Sequence, residues 1–560
     1  MTARAAADDI RFHLRHTVDF ARVAATGRFA EATGEMVAAV LDGAARLCDD
    51  VLAPLNRAGD LHPARLENGI VRTPPGFAAG FRAIAEGGWV AVAARPDHGG
   101  LGLPLTVATA VNDLMAGACM ALQLNPLLTQ GQIAALERHA TPEIQALYLP
   151  KLISGEWSGT MNLTEPQAGS DVGALRTTAA PAGDGTYRIS GQKIFITWGD
   201  SDFMANTCHL VLARLPGGAA GTRGISLFLV PKFIPDAEGR PGRRNDLRVV
   251  SLEHKMGIHG SPTCVMAYEG ATGWLIGREH GGMAAMFTMM NAARLAVGVQ
   301  GVGVAEAALQ KAEAYAAGRI QQGPILRHPD VRRMLACARA ELFAARAICL
   351  DCATALDLGE AEASPAQEAR GAFLTPIAKA FGTETGMRVC ETAMQVFGGM
   401  GYVEETGIAQ HYRDVRITAI YEGTNGIQAM DLATRKLADG GEAAFRLIDE
   451  IETEAERSRA GLPDLAGPVW AAAEALREAT EWLLAQDVRS RAAGAHPYLM
   501  AFGYLLGARH HLRAARAEAA RLPLARVYVG RLLPRHAALL AEVQAGPDDL
   551  DALRIGPEQE

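Results

Sequence analysis

Tyr421-Glu-Gly-Thr-Asn-Gly426 sets a single carboxylate, Glu422, beside glycines and ahead of an amphipathic stretch at residues 427–437. Glycine lets neighbouring peptide groups approach a ligand without a Cβ in the way. A glutamate held at such a junction can serve as a general base. The competing reading is local: Glu422 is a first-turn acid complementing a helix dipole, and Thr424 is the N-cap. The hexapeptide alone does not decide between them.

Another stretch with chemical character is Met161-Asn-Leu-Thr-Glu-Pro-Gln-Ala-Gly-Ser-Asp171. Its Thr164 and Ser170 hydroxyls, with the backbone donors that Gly169 leaves open, suit a diphosphate or the edge of a flavin. Two further constellations read as structural. Gly298, Gly301 and Gly303 cluster inside a helical pattern with no strand before them, which favours close helix packing over dinucleotide binding. Cys349 and Cys352 have the CxxC spacing but lie in an alanine-rich helix with no second cysteine pair or histidine near in sequence, so no metal site is expected. Met283, Met286, Met289, Met290 and Cys337 read as core.

The elements that must position these residues follow from periodicity. Residues 1–156 are Ala/Leu-rich with helical spacing and form an N-terminal helical domain. Residues 157–277 switch to short β-branched and aromatic runs bounded by Gly, Pro and Asp, a small β-barrel-like domain. Helical periodicity returns over residues 278–438, with breaks expected at Gly323-Pro324 and across residues 359–367, and suits a four-helix bundle. After a Gly/Asp/Glu-rich joint, residues 443–560 read as an appended α-helical domain with a polar tail. The fold class is therefore mainly α with a central β domain.

The chain has 560 residues, 49% of them hydrophobic, and a net charge of -8, which offers no general attraction to nucleic acid or anionic membrane. No membrane span and no signal peptide are expected, and the eight cysteines are too dilute for a disulfide framework. A cytoplasmic location fits.

The residues at 163–171 match, without a gap, the L-[ST]-E-P-x-A-G-S-D segment of the acyl-CoA dehydrogenase flavoproteins, and the chain resembles that family over residues 30–437. The turn at 96–104, Lys193-Ile-Phe-Ile-Thr197, Lys255-Met-Gly257, Gln395-Val-Phe-Gly-Gly399, Arg413-Asp414 and the Glu422 hexapeptide all fall in family order. Residues 253–264, 268–273 and 328–335, with the long C-terminal block, are similar to the subfamily that includes 3-methylmercaptopropionyl-CoA dehydrogenase.

The resemblance implies FAD as cofactor and α,β-dehydrogenation of an acyl-CoA thioester, with Glu422 as the α-proton base. It implies that Met161, Leu163 and Thr164 line the flavin, that Ser170 lies near the pyrophosphate or the coenzyme A phosphates, and that Phe195, Ile196 and Thr197 cover the other face. Phe195 stands where the family usually has tryptophan. Arg319 and Gln395 through Gly399 match positions reaching the FAD of a neighbouring subunit, which implies a homodimer or a dimer of dimers. Thr424 and Gly426 match flavin contacts, although the family often has glutamine at 426. Asn291 and Arg294 match coenzyme A contacts, and Tyr421 a substrate contact. Electron-transferring flavoprotein is the implied acceptor.

Two alternatives remain at this level. An acyl-CoA oxidase would use the same proton and hydride chemistry with oxygen as acceptor. A DNA-associated flavoprotein of this kind would use a basic C-terminal domain, and nine arginines from Arg489 to Arg535 face only Glu518 in that interval. A solvated or interdomain face is the competing explanation for them.

Overall fold

The computed structural model describes residues 4–553 and 556. The four sequence segments pack as two compact units. One holds Glu31–Ala296 with Val403–Ile417; the other holds Asp8–Ala30, Val297–Tyr402 and the chain from Thr418 onward. The joint at residues 439–442 is thus internal to a unit.

In the first unit five helices precede the sheet: α1 (Gly34–Leu47), α2 (Ala53–Leu61), α3 (Phe77–Glu86), α4 (Leu105–His139) and α5 (Pro142–Ile153). Thr33 caps α1 by accepting from Met36 N at 3.2 Å. Among the described residues the main sheet has seven strands: β1 (Trp157–Asn162), β2 (Thr178–Pro181), β3 (Tyr187–Thr197), β4 (Asn206–Arg214), β5 (Ile225–Pro231), β6 (Leu247–Leu252) and β7 (Thr263–Ile276). The pairing β3–β7–β5–β4–β2–β3 closes on itself, with β6 beside β7 and β1 parallel to β4. Closure pairs each of the five ring strands on both sides, and Ile189, Ile196, Val211, Phe228 and Met266 fill the interior. The two runs at 187–190 and 193–197 are one strand.

That strand slips phase near its end. Ile196 pairs with Cys264 but Lys193 with Met266, so Ile194 and Phe195 together face Val265 in a β-bulge. The extra residue lets both Lys193 and Ile196 point inward, while Phe195 stays 59% exposed at φ +60°.

The second unit is helical. It takes α6 (Gly282–Gly318) from Val297 onward, α7 (Pro329–Glu362) and α8 (Pro365–Val396). The polar loop expected at 359–367 shrinks to Ala363 and Ser364, because Ser364 caps α8 from Gln367 N and Pro365 is tolerated in a first turn. The β-branched run at 414–420 is helical, split between α9 (Ile408–Val415), in the first unit, and a 3-10 turn at Arg416–Ala419. Short helix α10 (Asn425–Met430) continues into a π-helical turn at Asp431–Arg435.

Of the clustered glycines, Gly298 and Gly301 sit where helices touch. A Cβ on Gly298 would lie 2.5 Å from Ala378 O, one on Gly301 2.6 Å from Gly382 O, and one on Gly386 2.7 Å from Gly301 O. Close packing of α6 against α8 is their role, as the helical pattern predicted. Cys349 and Cys352 are buried free thiols, and burial pushes Cys352 up to about 12.

The appended helices are α11 (Glu442–Ser458), α12 (Pro463–Ala485), α13 (Ala495–Ala517) and α14 (Arg535–Gln544). Residues 554, 555 and 557–560 of the expected polar tail lie outside the described residues. A buried ion network ties these helices to the bundle: Arg370 reaches Asp351 at 2.9 Å and Glu450 at 3.0 Å, and Arg509 reaches the same two acids at 3.2 and 3.1 Å. Burial opposes the charge on Asp351, but Arg370 and Arg509 hold it well below the usual carboxylate range.

The arginine series is largely neutralised within this unit. Arg513 pairs with Asp19 at 2.9 Å, Arg516 with Glu454 at 2.5 Å, Arg521 with Asp9 at 3.0 Å and Arg526 with Asp464 at 3.1 Å. Arg489 pairs with Asp551, and Arg535 with Glu341.

By length and composition, α4 and α6 could cross a membrane. In each, 89% of the apolar window is buried inside the fold.

Candidate active site

The segment after β1 is a tight turn. Glu165 and Ala168 exchange two backbone hydrogen bonds of 3.0 Å around Pro166 and Gln167. Ser170 and Gly169 are left exposed, and a Cβ at 169 would meet none of the described residues within 4 Å. Met161, Leu163 and Thr164 are half-buried, and among the described residues the Thr164 hydroxyl has no hydrogen-bond partner.

What holds this turn is a pair that sequence reasoning missed. Lys193 Nζ, fully buried on β3, donates to Leu163 O and to Glu165 Oε1, both at 2.9 Å. Glu165 also accepts from Thr177 N at 3.0 Å, Thr177 Oγ1 at 2.5 Å and Arg176 N at 2.7 Å. Burial opposes its charge, but Lys193 and these donors hold its carboxyl well below the ordinary range. Burial lowers Lys193 in turn, against the pull of Glu165. Ile194 N donates to Thr164 O at 2.9 Å, which fastens the turn to the bulge.

On β3 the three residues at 195–197 divide. Phe195 presents its ring outward, Thr197 is half-buried, and Ile196 is 2% exposed with its side chain in the barrel core. A cofactor could meet Ile196 only through its backbone. In the same unit Arg294 is buried, donates to Asn291 Oδ1 at 3.2 Å and lies over the Phe287 ring at 5.7 Å, while Asn291 is exposed.

In the second unit Glu422 is half-buried at φ +56°, followed by Gly423 at φ +86°. The left-handed region costs a non-glycine residue about 1–2 kcal/mol, and such outliers concentrate at functional sites. Thr424 is the N-cap of α10, accepting from Ile427 N at 3.2 Å. Glu422 therefore precedes the cap by two residues and is not a first-turn acid. Gln428 Nε2 reaches back to both Glu422 O and Gly423 O at 3.4 Å, and the half-buried Tyr421 hydroxyl donates to Gln300 Oε1.

Asn425, the first residue of α10, was also missed. Its Oδ1 accepts from the fully buried Lys379 Nζ at 2.9 Å, and its Nδ2 donates to Thr383 Oγ1 at 3.1 Å and Glu384 Oε1 at 2.9 Å. Gly426 is open: among the described residues only Thr424 Oγ1, at 3.7 Å, is near a Cβ placed there. Arg319, Gln395 and Gly399 are exposed, and Phe397 stacks on Tyr315 at 4.1 Å.

A helical domain, a closed barrel and a helix bundle follow in that order, with an exposed ring and, among the described residues, an unpartnered hydroxyl on the barrel side, features suited to a flat aromatic cofactor; the comparisons with known proteins place the chain in a flavin-dependent oxidoreductase class. The N-terminal, middle and C-terminal domains of acyl-CoA dehydrogenase match residues 35–156, 160–271 and 280–437, and the domain described as acetyl-CoA dehydrogenase C-terminal like matches 447–554. The chain belongs to the acyl-CoA dehydrogenase family. It is 45% identical to 3-methylmercaptopropionyl-CoA dehydrogenase of Ruegeria pomeroyi over 93% of this chain and 92% of that protein. It is 34% identical to a butyryl-CoA dehydrogenase of Syntrophomonas wolfei over 79% and 77% of the two chains. The fold is shared with an acyl-CoA dehydrogenase from Bacillus anthracis solved with FAD, at a TM-score of 0.77, 21% identity and coverage of 94% and 90%. Neither the oxidase nor the DNA-associated alternative is supported by these relatives, and most of the arginines that suggested the latter are paired with acids of the same unit.

Proposed function

We propose that Glu422 is the base that removes the α proton of an acyl-CoA thioester, and that Met161, Leu163, Thr164, Ser170, Phe195, Thr197 and the backbone of Ile196 hold FAD. The donor set fits a flavin: an exposed aromatic ring, a hydroxyl without a partner among the described residues, and a glycine-opened turn for a phosphate. When bound, FAD accepts the β hydrogen with its electron pair, leaving the 2-enoyl thioester. The observation that carries the assignment of the base is the backbone of Glu422, kept in the left-handed region by a cap, a tyrosine hydroxyl and a glutamine amide.

The chain's own part in the reaction follows from this loop. The carboxylate takes the proton, and the backbone N–H of Glu422 is available to the thioester oxygen as charge develops there. Tyr421 excludes water on one side of the carboxylate. Asn291 and Arg294 serve the coenzyme A moiety. Arg319, Gln395, Gly399, Thr424 and Gly426 complete the flavin contacts, the first three from a partner copy in a homodimer or dimer of dimers. Electron-transferring flavoprotein is the acceptor, and the enzyme works in the cytoplasm.

The high identity to 3-methylmercaptopropionyl-CoA dehydrogenase across nearly the whole chain supports 3-(methylthio)propanoyl-CoA as substrate. The test is anaerobic titration of the purified yellow protein with short, medium, branched and methylthio acyl-CoA thioesters. Fastest bleaching at lowest concentration with the methylthio compound supports this reading; preference for an unsubstituted chain rejects the thioether substrate. Rapid reoxidation of the reduced enzyme by oxygen alone would favour an oxidase.

A further inference from the structure

Helix α13 of the appended domain lies against α8, and the contact is intimate. A Cβ on Gly503 would stand 2.3 Å from Phe381 Cδ2, and Phe381 meets Tyr504 edge-on at 5.3 Å. Phe373 meets Phe502 in the same way at 5.2 Å. Helix α10 also touches α13 directly.

Polar contacts run through the same place. Tyr504 OH donates to Glu341 Oε1 at 3.1 Å and accepts from Arg535 at 3.0 Å. Glu341 holds Arg388 at 2.7 Å, and Arg388 lies 3.8 Å from Glu384, which His496 of α13 approaches at 3.9 Å. Glu384 is the acceptor for Asn425, three residues after Glu422. Every hydrogen-bonding position of the Asn425 amide is therefore set by α8: Lys379 on its oxygen, Thr383 and Glu384 on its nitrogen. A buried amide satisfied on all sides has one orientation, because any rotation leaves unpaired polar atoms.

We propose that Asn425 is a positioning residue for Glu422, and that the appended domain, through α13 acting on α8, is part of the apparatus that fixes the catalytic base. This rests on the reading of Glu422 as the base. Truncating Asn425 frees the first residue of α10 and with it the capped loop whose carbonyls Gln428 grips. Glu422 keeps its chemistry but loses its fixed place, and a displacement of about 1 Å is enough to cost on the order of 100-fold in rate.

The experiment is anaerobic stopped-flow reduction of the full-length FAD-loaded enzyme by butanoyl-CoA, whose concentration dependence separates the limiting rate from the dissociation constant. Asn425→Ala is expected to lower the limiting rate about 10–100-fold, with FAD content and dissociation constant unchanged. Gly503→Ala, which drives a methyl group against Phe381, and the milder Tyr504→Phe are expected to lower the same rate without touching ligand binding. Glu422→Gln separates the two claims. If Glu422→Gln is inert while Asn425→Ala, Gly503→Ala and Tyr504→Phe reduce at the wild-type rate, the base stands and the positioning role falls. If Glu422→Gln reduces at the wild-type rate, both fall. A variant that loses thermal stability but keeps the limiting rate shows packing alone and overturns the proposal. Should Gly503→Ala fail to fold, Tyr504→Phe decides the part played by α13.

Discussion

Lys193 Nζ and Glu165 Oε1 stand 2.9 Å apart with their side chains 0% and 4% exposed. The pair spans the turn that carries Thr164 and the strand that carries Phe195, so one buried ion pair fixes both proposed flavin-facing segments. The bulge at residues 194 and 195 makes it sterically feasible, since it alone lets Lys193 and Ile196 share the inward side.

Lys193→Met leaves a buried carboxylate without its cation. Loss of about 3–5 kcal/mol is expected, read as a large drop in thermal midpoint with loss of bound flavin. The double variant Lys193→Met/Glu165→Gln should recover part of that loss. Equal midpoints for the single and double variants would contradict the pairing.

Acid sensitivity follows from the same chemistry. Glu165 is held well below its ordinary value of 4.5, and Glu306, buried but beside Arg346 and Arg339, is held at about 2. Each stabilises the fold fully above its unfolded value, and that stability is lost as pH falls through the folded value. Asp414, pushed up to about 6 by burial, works the other way between 6 and 3.8. Asp414 adds stability as pH falls from 6 towards 3.8, so the thermal midpoint should hold or rise slightly from pH 6 to 5 and fall below about 4.5 as the two glutamates lose theirs. A midpoint that stays level down to pH 3 would refute the assignment of these shifts.

Glu422→Gln should keep its yellow colour and FAD stoichiometry while losing roughly 10²–10⁴ in dehydrogenation rate. The check is the visible spectrum alongside anaerobic bleaching by acyl-CoA. Full residual activity would reject Glu422 as the base.

Phe195→Gly separates strain from function. Glycine adopts φ +60° freely, so folding stability should hold or rise by up to about 1 kcal/mol, while retention of FAD through gel filtration should weaken. Unchanged retention would remove Phe195 from the flavin site.

Gly298→Val should destabilise the helical unit, because its Cβ would meet the backbone oxygen of Ala378, which has no rotamer with which to yield. A cost of about 1–3 kcal/mol or more is expected, visible as a lower unfolding midpoint. Tolerance of valine would mean that α6 and α8 can separate.

The glycine pattern shows how far spacing carries. Gly298 and Gly301 were readable as a helix contact because no strand preceded them, whereas the matching Gly382 and Gly386 on α8 could be paired with them only in three dimensions. The nine arginines show the reverse. Read along the chain they form a positive run, because their counter-charges, Asp9, Asp19, Asp351 and Glu454 among them, come from distant segments.

The order of helical, β and helical elements and the family were legible along the chain, since periodicity, turn residues and an unbroken motif are properties of neighbours in sequence. Tertiary structure decided that Ile196 faces the barrel core while Phe195 faces out, because a one-residue bulge reverses the inside and outside of a strand. Folding also brought Lys193 to Glu165 and Lys379 to Asn425, pairings invisible along the chain because a buried polar group acquires its partners only in three dimensions. It also decided that the appended helices belong to the unit that carries Glu422, through ion pairs and ring contacts whose members lie far apart along the chain.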